Sequence, residues 1–300
     1  MHKWGNFFKN IFHFFMNKEI TVEVTSYNLA ESEYQFIRPP PPSTSLEIYC
    51  FQEVNLSKVV LPEYNSFHYY ENNLLIVVRW SKDLTVTPRD LLLSRNQVSS
   101  SKDDNHITYS PRMSAFYPRN KLFGHFRDLR LRRGAIMFNL LIDNLVPISI
   151  ICLHNMRDGS VEKRVNVLRN TAGQLINELV AVDRGCIVLG GGDFNINLNS
   201  IASALRSLNE NDTFHIDENT FATYKYHTNS TGKVNRGSSV RHTTPIDHTF
   251  YTLINPQNET LRYDIHTVSH GIQNPESMKI SDHLYVTETY RIRIDEIKRL

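Results

Sequence analysis

The sequence predicts a mixed α/β (α+β) fold, and three observations predict it. Short β-rich stretches recur along the 300 residues, and several of them end in polar side chains. One long stretch, 160–182, repeats its apolar residues at helical spacing. One apolar strand, 186–190, runs into Gly190-Gly191-Gly192 and then presents Asp193 and Asn195.

Composition sets the bounds. Apolar residues make up 40% of the chain, enough for a sizeable core. The formal charge is only +2, so any polyanion-binding surface must be local. Cys50, Cys152 and Cys186 all sit in apolar runs, with no zinc or disulfide spacing among them. No run of 18 apolar residues marks a transmembrane helix. The N-terminus is too interrupted for a secretory signal, so the expected location is intracellular, cytoplasmic or nuclear, or inside a host cell after delivery.

The elements follow in order. Residues 1–18 form an aromatic segment of their own, with Trp4, Phe7, Phe8, Ile11, Phe12 and Phe15 at helical spacing. Such a segment suits a peripheral membrane or partner contact; packing on the protein body is the plainer expectation. Residues 19–300 form the second unit. Residues 20–27 alternate as a strand ending at Asn28. Pro39–Pro42 then impose an extended connection. Residues 46–51 make a strand ending at Gln52-Glu53, and 74–80 make a third. Residues 94–121 are polar and read as a long loop.

Residues 119–134 carry six basic side chains against one acid, Asp128. Among them, Arg127, Arg130, Arg132 and Arg133 are candidate phosphate contacts; a solvated strand face is the alternative. Residues 135–142 and 146–153 flank Asp143-Asn144 as a hairpin, and the second strand ends at His154. In the 160–182 helix, Val161, Val165, Leu168, Ala172, Leu175, Ile176 and Leu179 share a face, with Ser160 as N-cap. A weaker helix is expected over 198–208 and a polar loop over 227–243. Strands are expected over 246–253, 260–268 and 284–292.

Asn28, Glu53, His154, Asp193 with Asn195, and Asp282 with His283 all close predicted strands or precede one, and Asp247 lies in another. Each alone is usually a cap or a surface residue. Together they hold the residue types that hydrolysis needs, and strand ends gather at one sheet edge. Asn28 and Glu53 offer hard oxygen ligands that suit Mg²⁺, with Mn²⁺ the other candidate. Asp193 suits orienting or deprotonating a water, and Asn195 suits holding a phosphoryl oxygen. His154 and His283 suit a developing negative charge, and Asp247 suits orienting a histidine. The three glycines would let another backbone, or a phosphate, approach closely. If the extended path continues, Asp193 and Asn195 point the same way.

The words themselves resemble a known family. Ser-Tyr-Asn at 26–28, Phe-Gln-Glu at 51–53, Leu-His-Asn at 153–155, Gly-Asp-Phe-Asn at 192–195, Ile-Asp-His at 246–248 and Ser-Asp-His at 281–283 are similar to the ordered motifs of the endonuclease/exonuclease/phosphatase (DNase-I-like) superfamily. Gly-Asp-Phe-Asn and Ser-Asp-His are the specific ones. The histidine at 154 is closer to the DNase-I-like and cytolethal-distending-toxin nuclease branches. The resemblance implies a four-layer αββα sandwich of two mixed sheets flanked by helices, Mg²⁺ dependence, and phosphate-ester cleavage by an activated water. It implies Glu53 as principal metal ligand assisted by Asn28 and Asp282. It implies catalytic roles for His154, Asp193, Asn195, Asp247 and His283. Two departures stand out: the prolines interrupt a connection that is normally helical, and Asp247 precedes His248 where inositol 5-phosphatases carry Asp-Arg.

Three functions follow. The first is a DNA-cleaving phosphodiesterase whose basic segment holds backbone phosphates, with nucleic acid as partner. The second is a phosphoinositide phosphatase or sphingomyelinase-like lipid phosphodiesterase that meets phospholipid through its aromatic N-terminus. The third is a binding module without activity, against which the intact residue set argues.

Overall fold

Strand-forming residues, most of them buried on both faces, build two sheets that face each other. In the computed structural model the described residues are 18–36, 41, 45–62, 65–71, 73–89, 134–157, 159–182, 185–196, 215–216, 246–254, 261–272, 281 and 283–296. The first half of the chain gives β1 (Lys18–Asn28), β2 (Tyr34–Gln35), β3 (Ser45–Gln52), β4 (Val59–Val60), β5 (Ser66–Glu71), β6 (Leu74–Trp80) and β7 (Val86–Pro88). Then come β8 (Gly134–Ile142), β9 (Val146–His154), α1 (Val161–Leu168), α2 (Gln174–Val182) and β10 (Cys186–Asp193). The chain closes with β11 (His215–Ile216), β12 (Asp247–Ile254), β13 (Leu261–Ile272) and β14 (Val286–Glu296).

One six-stranded sheet runs β13-β14-β1-β3-β6-β5, and the other runs β11-β12-β10-β9-β8-β7. Each is mixed: β1 pairs parallel with β3 and antiparallel with β14, while β10 pairs parallel with β9 and antiparallel with β12. Between the sheets, Ile20, Val22 and Val24 of β1 and Ile76 and Val78 of β6 meet Phe138 of β8, Ile148 and Ile150 of β9, and Leu189 of β10. Trimming such a buried leucine to alanine costs about 2–5 kcal/mol. On the outer face of the second sheet, Leu168, Ala172, Leu175, Ile176 and Leu179 cover Met137, Ile151 and Val188. The two facing mixed sheets, with helices on the outer face of the second, make the α/β sandwich that the sequence predicts.

Several elements depart from expectation. The 160–182 helix is not continuous: a π-helical turn over Arg169–Gly173 separates α1 from α2. There Thr171 Oγ1 donates to the carbonyls of Val167 and Leu168, at 2.9 and 3.2 Å, serving carbonyls that the irregular turn displaces. Val161, expected on the buried face, is 43% exposed. Ser160 does cap, its Oγ accepting from Lys163 N at 3.2 Å. On the outer face of the first sheet, Tyr27, Tyr49 and Phe51 are covered, among the described residues, by Tyr34, Phe36 and Leu61 around the β2–β4 ribbon. An aromatic ribbon stands where the family's connection is normally helical, in keeping with the extended connection that the nearby prolines predict. Strands β5, β7 and the short β11 have no counterpart in the sequence reading.

The Asp143-Asn144 turn is as expected, with both residues left-handed at φ 51° and 57°. Asp143 also accepts from Lys18 Nζ, tying the hairpin to the start of β1. The aromatic segment 1–17, the loop over 94–121, Arg127, Arg130, Arg132, Arg133, the expected 198–208 helix, the 227–243 loop and Asp282 lie outside the described residues.

Candidate active site

Strand pairing brings the polar residues to one edge. Asp193 at the end of β10 lies opposite His154 at the end of β9, and opposite Asp247 at the antiparallel start of β12. In the facing sheet, Asn28 at the end of β1 lies opposite Gln52, the residue before Glu53. The three glycines of β10 allow this convergence. A Cβ at Gly190 would stand 2.5 Å from the Ile151 carbonyl oxygen, one at Gly192 would stand 2.2 Å from that of Leu153, and one at Gly191 would meet Ser26 Cβ at 2.9 Å. Backbone and side chains approach here, so this run is a packing device of the sandwich.

Asp193 is the hub. Its Oδ2 accepts from Asn28 Nδ2 at 3.2 Å, and its Oδ1 accepts from Asn195 N at 2.9 Å. His154 Nε2 and His283 Nε2 stand 3.6 and 3.9 Å from Oδ2. Burial pushes the Asp193 carboxyl up to about 7; the neighbouring Asp247 adds to that, while His283 and the Asn28 and Asn195 hydrogen bonds oppose it. Asp247, fully buried, takes His283 Nδ1 at 2.8 and 3.1 Å on its two oxygens. That contact places the Nδ1 proton against the carboxylate and leaves Nε2 aimed toward Asp193.

Glu53 stands apart. Its side chain is 32% exposed, and its Oε1 lies 3.7 Å from His154 Nε2. Its backbone is left-handed at φ 51°, a conformation that costs a non-glycine residue about 1–3 kcal/mol. The fold holds it there: Glu31 N donates to the Glu53 carbonyl at 2.8 Å, and Val54 N donates to the Asn73 carbonyl at 2.9 Å. Asn28 presents its N–H to Asp193, because its Oδ1 accepts from Ala30 N at 2.9 Å.

Asp193 and Asn195 do not share an extended path. Asn195 turns left-handed at φ 51°, and its N–H folds back onto the Asp193 carboxylate. A short polar side chain that tolerates this conformation makes the turn. Asn195 still reaches the edge, its Nδ2 donating to the Asn155 carbonyl at 3.0 Å.

Two supporting residues escaped the sequence reading. Ser281 Oγ donates to the Asn28 carbonyl at 2.6 Å and accepts from His283 N at 3.1 Å, so it joins two site residues 255 positions apart. Its place in Ser-Asp-His was the available signal. Arg164 Nη1 donates to the Asn195 carbonyl, a contact that nothing in the helical pattern around Arg164 announces.

The donor set fits a hard divalent cation. Ligand atoms of Asp193, Asp247 and His283 lie within 4.8 Å of one another, and a cation would relieve the repulsion between two buried carboxylates. Away from this edge, a cleft of about 380 Å³ opens between β12, β13 and β14 beside His215, His270 and the buried Glu288.

No family model and no curated protein matches the chain. Among solved structures, it is similar to the inositol polyphosphate 5-phosphatase domain of SPsynaptojanin, in complex with inositol (1,4)-bisphosphate and a calcium ion. The identity is 15%, the match covers 97% of this chain and 90% of that one, and the TM-score is 0.55. D. rerio TDP2 with a single-strand DNA product matches at 12% identity, over 90% of this chain and 98% of that one, with a TM-score of 0.48. An endonuclease/exonuclease/phosphatase family protein from Bacteroides thetaiotaomicron matches at 12% identity, over 93% and 100%, with a TM-score of 0.45. The first of these likenesses establishes the fold: the chain is built as a DNase-I-like sandwich.

Proposed function

We propose that the chain hydrolyses phosphate esters with the help of a bound divalent cation, Mg²⁺ or Mn²⁺, and that its substrate is DNA, cleaved as a phosphodiester. The observation that carries this reading is the closure of Asp193, Asp247, His283, His154 and Glu53 onto one sheet edge, with His283 fixed by Asp247. Glu53, the most open carboxylate of the group, would be the principal ligand of the cation, with Asn28 and Asp282 assisting. The cation would supply charge neutralisation and polarisation of a phosphoryl oxygen.

The chain's own residues supply the rest. Asp193, with its carboxyl near 7, is matched to accept a proton from the attacking water at neutral pH. Asn28 and the Asn195 N–H hold that carboxylate in orientation. His283 donates through Nε2 to the phosphoryl oxygen as its charge grows, and Asp247 stabilises the imidazolium form. His154 donates from the opposite side, between Glu53 and Asp193. Asn195 holds a phosphoryl oxygen with its remaining amide N–H. The P–O bond opposite the attacking water breaks, the leaving oxygen takes a proton from bulk water, and Asp193 returns its proton to solvent. Support for DNA comes from the basic run at 119–134, whose arginines suit backbone phosphates.

A second reading has its own observation. The structural likeness with a TM-score of 0.55 is to a phosphatase domain holding an inositol bisphosphate, so an inositol phosphate or phosphoinositide is the competing substrate. Purified protein with Mg²⁺ is assayed on plasmid DNA, on soluble inositol phosphates, and on phosphoinositide and sphingomyelin vesicles. Nicking of plasmid that stops in chelator and returns with Mg²⁺ is the expected result. Phosphate release from inositol phosphates without nicking overturns the DNA assignment. Undiminished hydrolysis in chelator overturns the cation.

A further inference from the structure

The two strand ends that carry His154 and Asp193 are closed by a ring of hydrogen bonds, and two members of that ring, Asn155 and Arg164, have no part in the chemistry above. Asn155 N donates to the Asp193 carbonyl at 2.8 Å, fastening the two ends together. Asn195 Nδ2 donates to the Asn155 carbonyl at 3.0 Å. Asn155 Nδ2 in turn donates to the carbonyl of Arg164 on α1, at 3.0 Å. Arg164 completes the ring by reaching back with Nη1 to the Asn195 carbonyl. The residue it grips is left-handed at φ 51°.

We infer that Arg164 is a positioning residue for Asn195: its guanidinium holds the Asn195 peptide in the left-handed turn that aims the Asn195 side chain at the catalytic edge. This rests on the reading of that edge as a phosphoester-hydrolysing site. The chemistry favours arginine for the task. A guanidinium is charged at all working pH values, and its planar fork fixes the direction of each N–H. A charge-assisted bond to a carbonyl is roughly twice as strong as a neutral one. The helix gives the clamp a rigid base: Arg164 N is bonded to the Ser160 carbonyl at 3.1 Å, in the turn that Ser160 caps. Without the clamp, only the Asn195 N–H bond to Asp193 and its Nδ2 bond to Asn155 oppose relaxation toward ordinary negative φ. Its side chain would then swing off the edge, and its N–H would leave the Asp193 carboxylate. Both changes act on the chemical step.

The test uses the full chain with Mg²⁺ and bis(4-nitrophenyl) phosphate as probe, comparing Arg164→Ala, Arg164→Lys, Asn195→Ala and the double Arg164→Ala/Asn195→Ala variant. Arg164→Ala is expected to lower kcat by roughly tenfold or more with KM changed less than about twofold. Arg164→Lys, which keeps one charged donor, should recover part of that loss. The double variant should be no slower than Asn195→Ala by more than about twofold, because both changes remove one function. A merely structural arginine would instead multiply its loss onto that of Asn195→Ala, and that result overturns the inference, as does wild-type kcat in a folded Arg164→Ala protein. If Arg164→Ala does not fold, Arg164→Gln takes its place in the same cycle. The Asn195 side-chain amide resonances in ¹⁵N–¹H spectra read the clamp without activity. They should shift or broaden in the Arg164 variant, and unchanged resonances overturn the clamp. An inactive wild-type protein whose resonances still respond would sink the hydrolase reading and leave the clamp standing.

Discussion

Two carboxylates share the candidate catalytic edge, yet their surroundings are opposite. The side chain of Asp193 is 3% exposed, and its two oxygens are held by Asn28 and by the Asn195 N–H. Glu53 is 32% exposed on a left-handed backbone, with His154 at 3.7 Å as its neighbour in the site. Burial and the neighbouring Asp247 favour a proton on Asp193. Such a group exchanges protons near neutral pH and suits acid–base work. A half-open carboxylate keeps water within reach, and Mg²⁺ retains several waters when it binds. The contrast supports the proposed roles, the base for the buried residue and the principal cation ligand for the open one. It also exposes the competing assignment, in which the cation sits deeper, between Asp193, Asp247 and His283.

The sharpest way to break this comparison is Asp193→Asn. Volume and one oxygen are kept, but the proton acceptor is lost. Turnover should fall by about 10²–10⁴, the range for a lost general base, with the protein folded by circular dichroism. A folded variant with near wild-type turnover would remove Asp193 from the chemistry, and the reading of Gly-Asp-Phe-Asn with it. His154→Ala and His283→Ala come next, each expected to cost about 10²–10³ in kcat with KM little changed. The double variant should lose less than the product of the two, since both histidines serve one phosphoryl group. Full multiplicativity in steady-state kinetics would mean that they serve separate steps.

Glu53→Gln separates the two cation assignments. With Glu53 as principal ligand, the Mg²⁺ concentration needed for half-maximal activity should rise by at least the roughly 10–100-fold that loss of a supporting outer-shell group costs. Saturating Mg²⁺ should then recover much of the turnover. An unchanged Mg²⁺ titration would move the cation to the Asp193–Asp247–His283 group.

The edge was legible in the sequence because strand ends announce themselves. Apolar runs that stop at Asn28, His154 and Asp193 fix which polar residues leave the sheets, and pairing then aligns them. What was not legible came from contacts distant in sequence. The bond between Ser281 and Asn28 spans 253 positions, and the reach of Arg164 to Asn195 joins a helix to a strand end. The π-turn in the helix was hidden because its apolar residues keep a near-helical spacing across the irregularity. The short strands β5 and β7 were hidden for another reason. The strand β5, Ser-Phe-His-Tyr-Tyr-Glu, is mostly half-buried at a sheet edge and shows little apolar alternation. The glycines of β10 admit another backbone or a phosphate, and the atoms that crowd them are backbone of Ile151, Leu153 and His248 and side chains of Leu153, Phe250 and Ser26.

The smallest expected effect tests the burial of Asp193 directly, through stability. Its carboxyl is pushed up to about 7 in the folded protein from an ordinary value of 3.8. The folded state therefore holds this proton more tightly than the unfolded chain does. Below about pH 4 both states are protonated, and the residue contributes no penalty. Between about 4 and 7 the unfolded chain has released its proton and the folded protein keeps it, so stability falls as pH rises. The local slope is at most about 1.4 kcal/mol per pH unit. Above about 7 the penalty is complete. Asparagine at 193 cannot ionise, so the melting temperature of Asp193→Asn should exceed that of the wild type by more at pH 8 than at pH 5. Titrating groups remote from Asp193 cancel in that difference. Mg²⁺ at pH 8 should raise the wild-type melting temperature, because a cation beside Asp193 and Asp247 favours the ionised pair. A gap between the two proteins that does not change from pH 5 to pH 8 would mean that Asp193 ionises as an ordinary carboxylate. The contrast with Glu53 would then lose its physical basis.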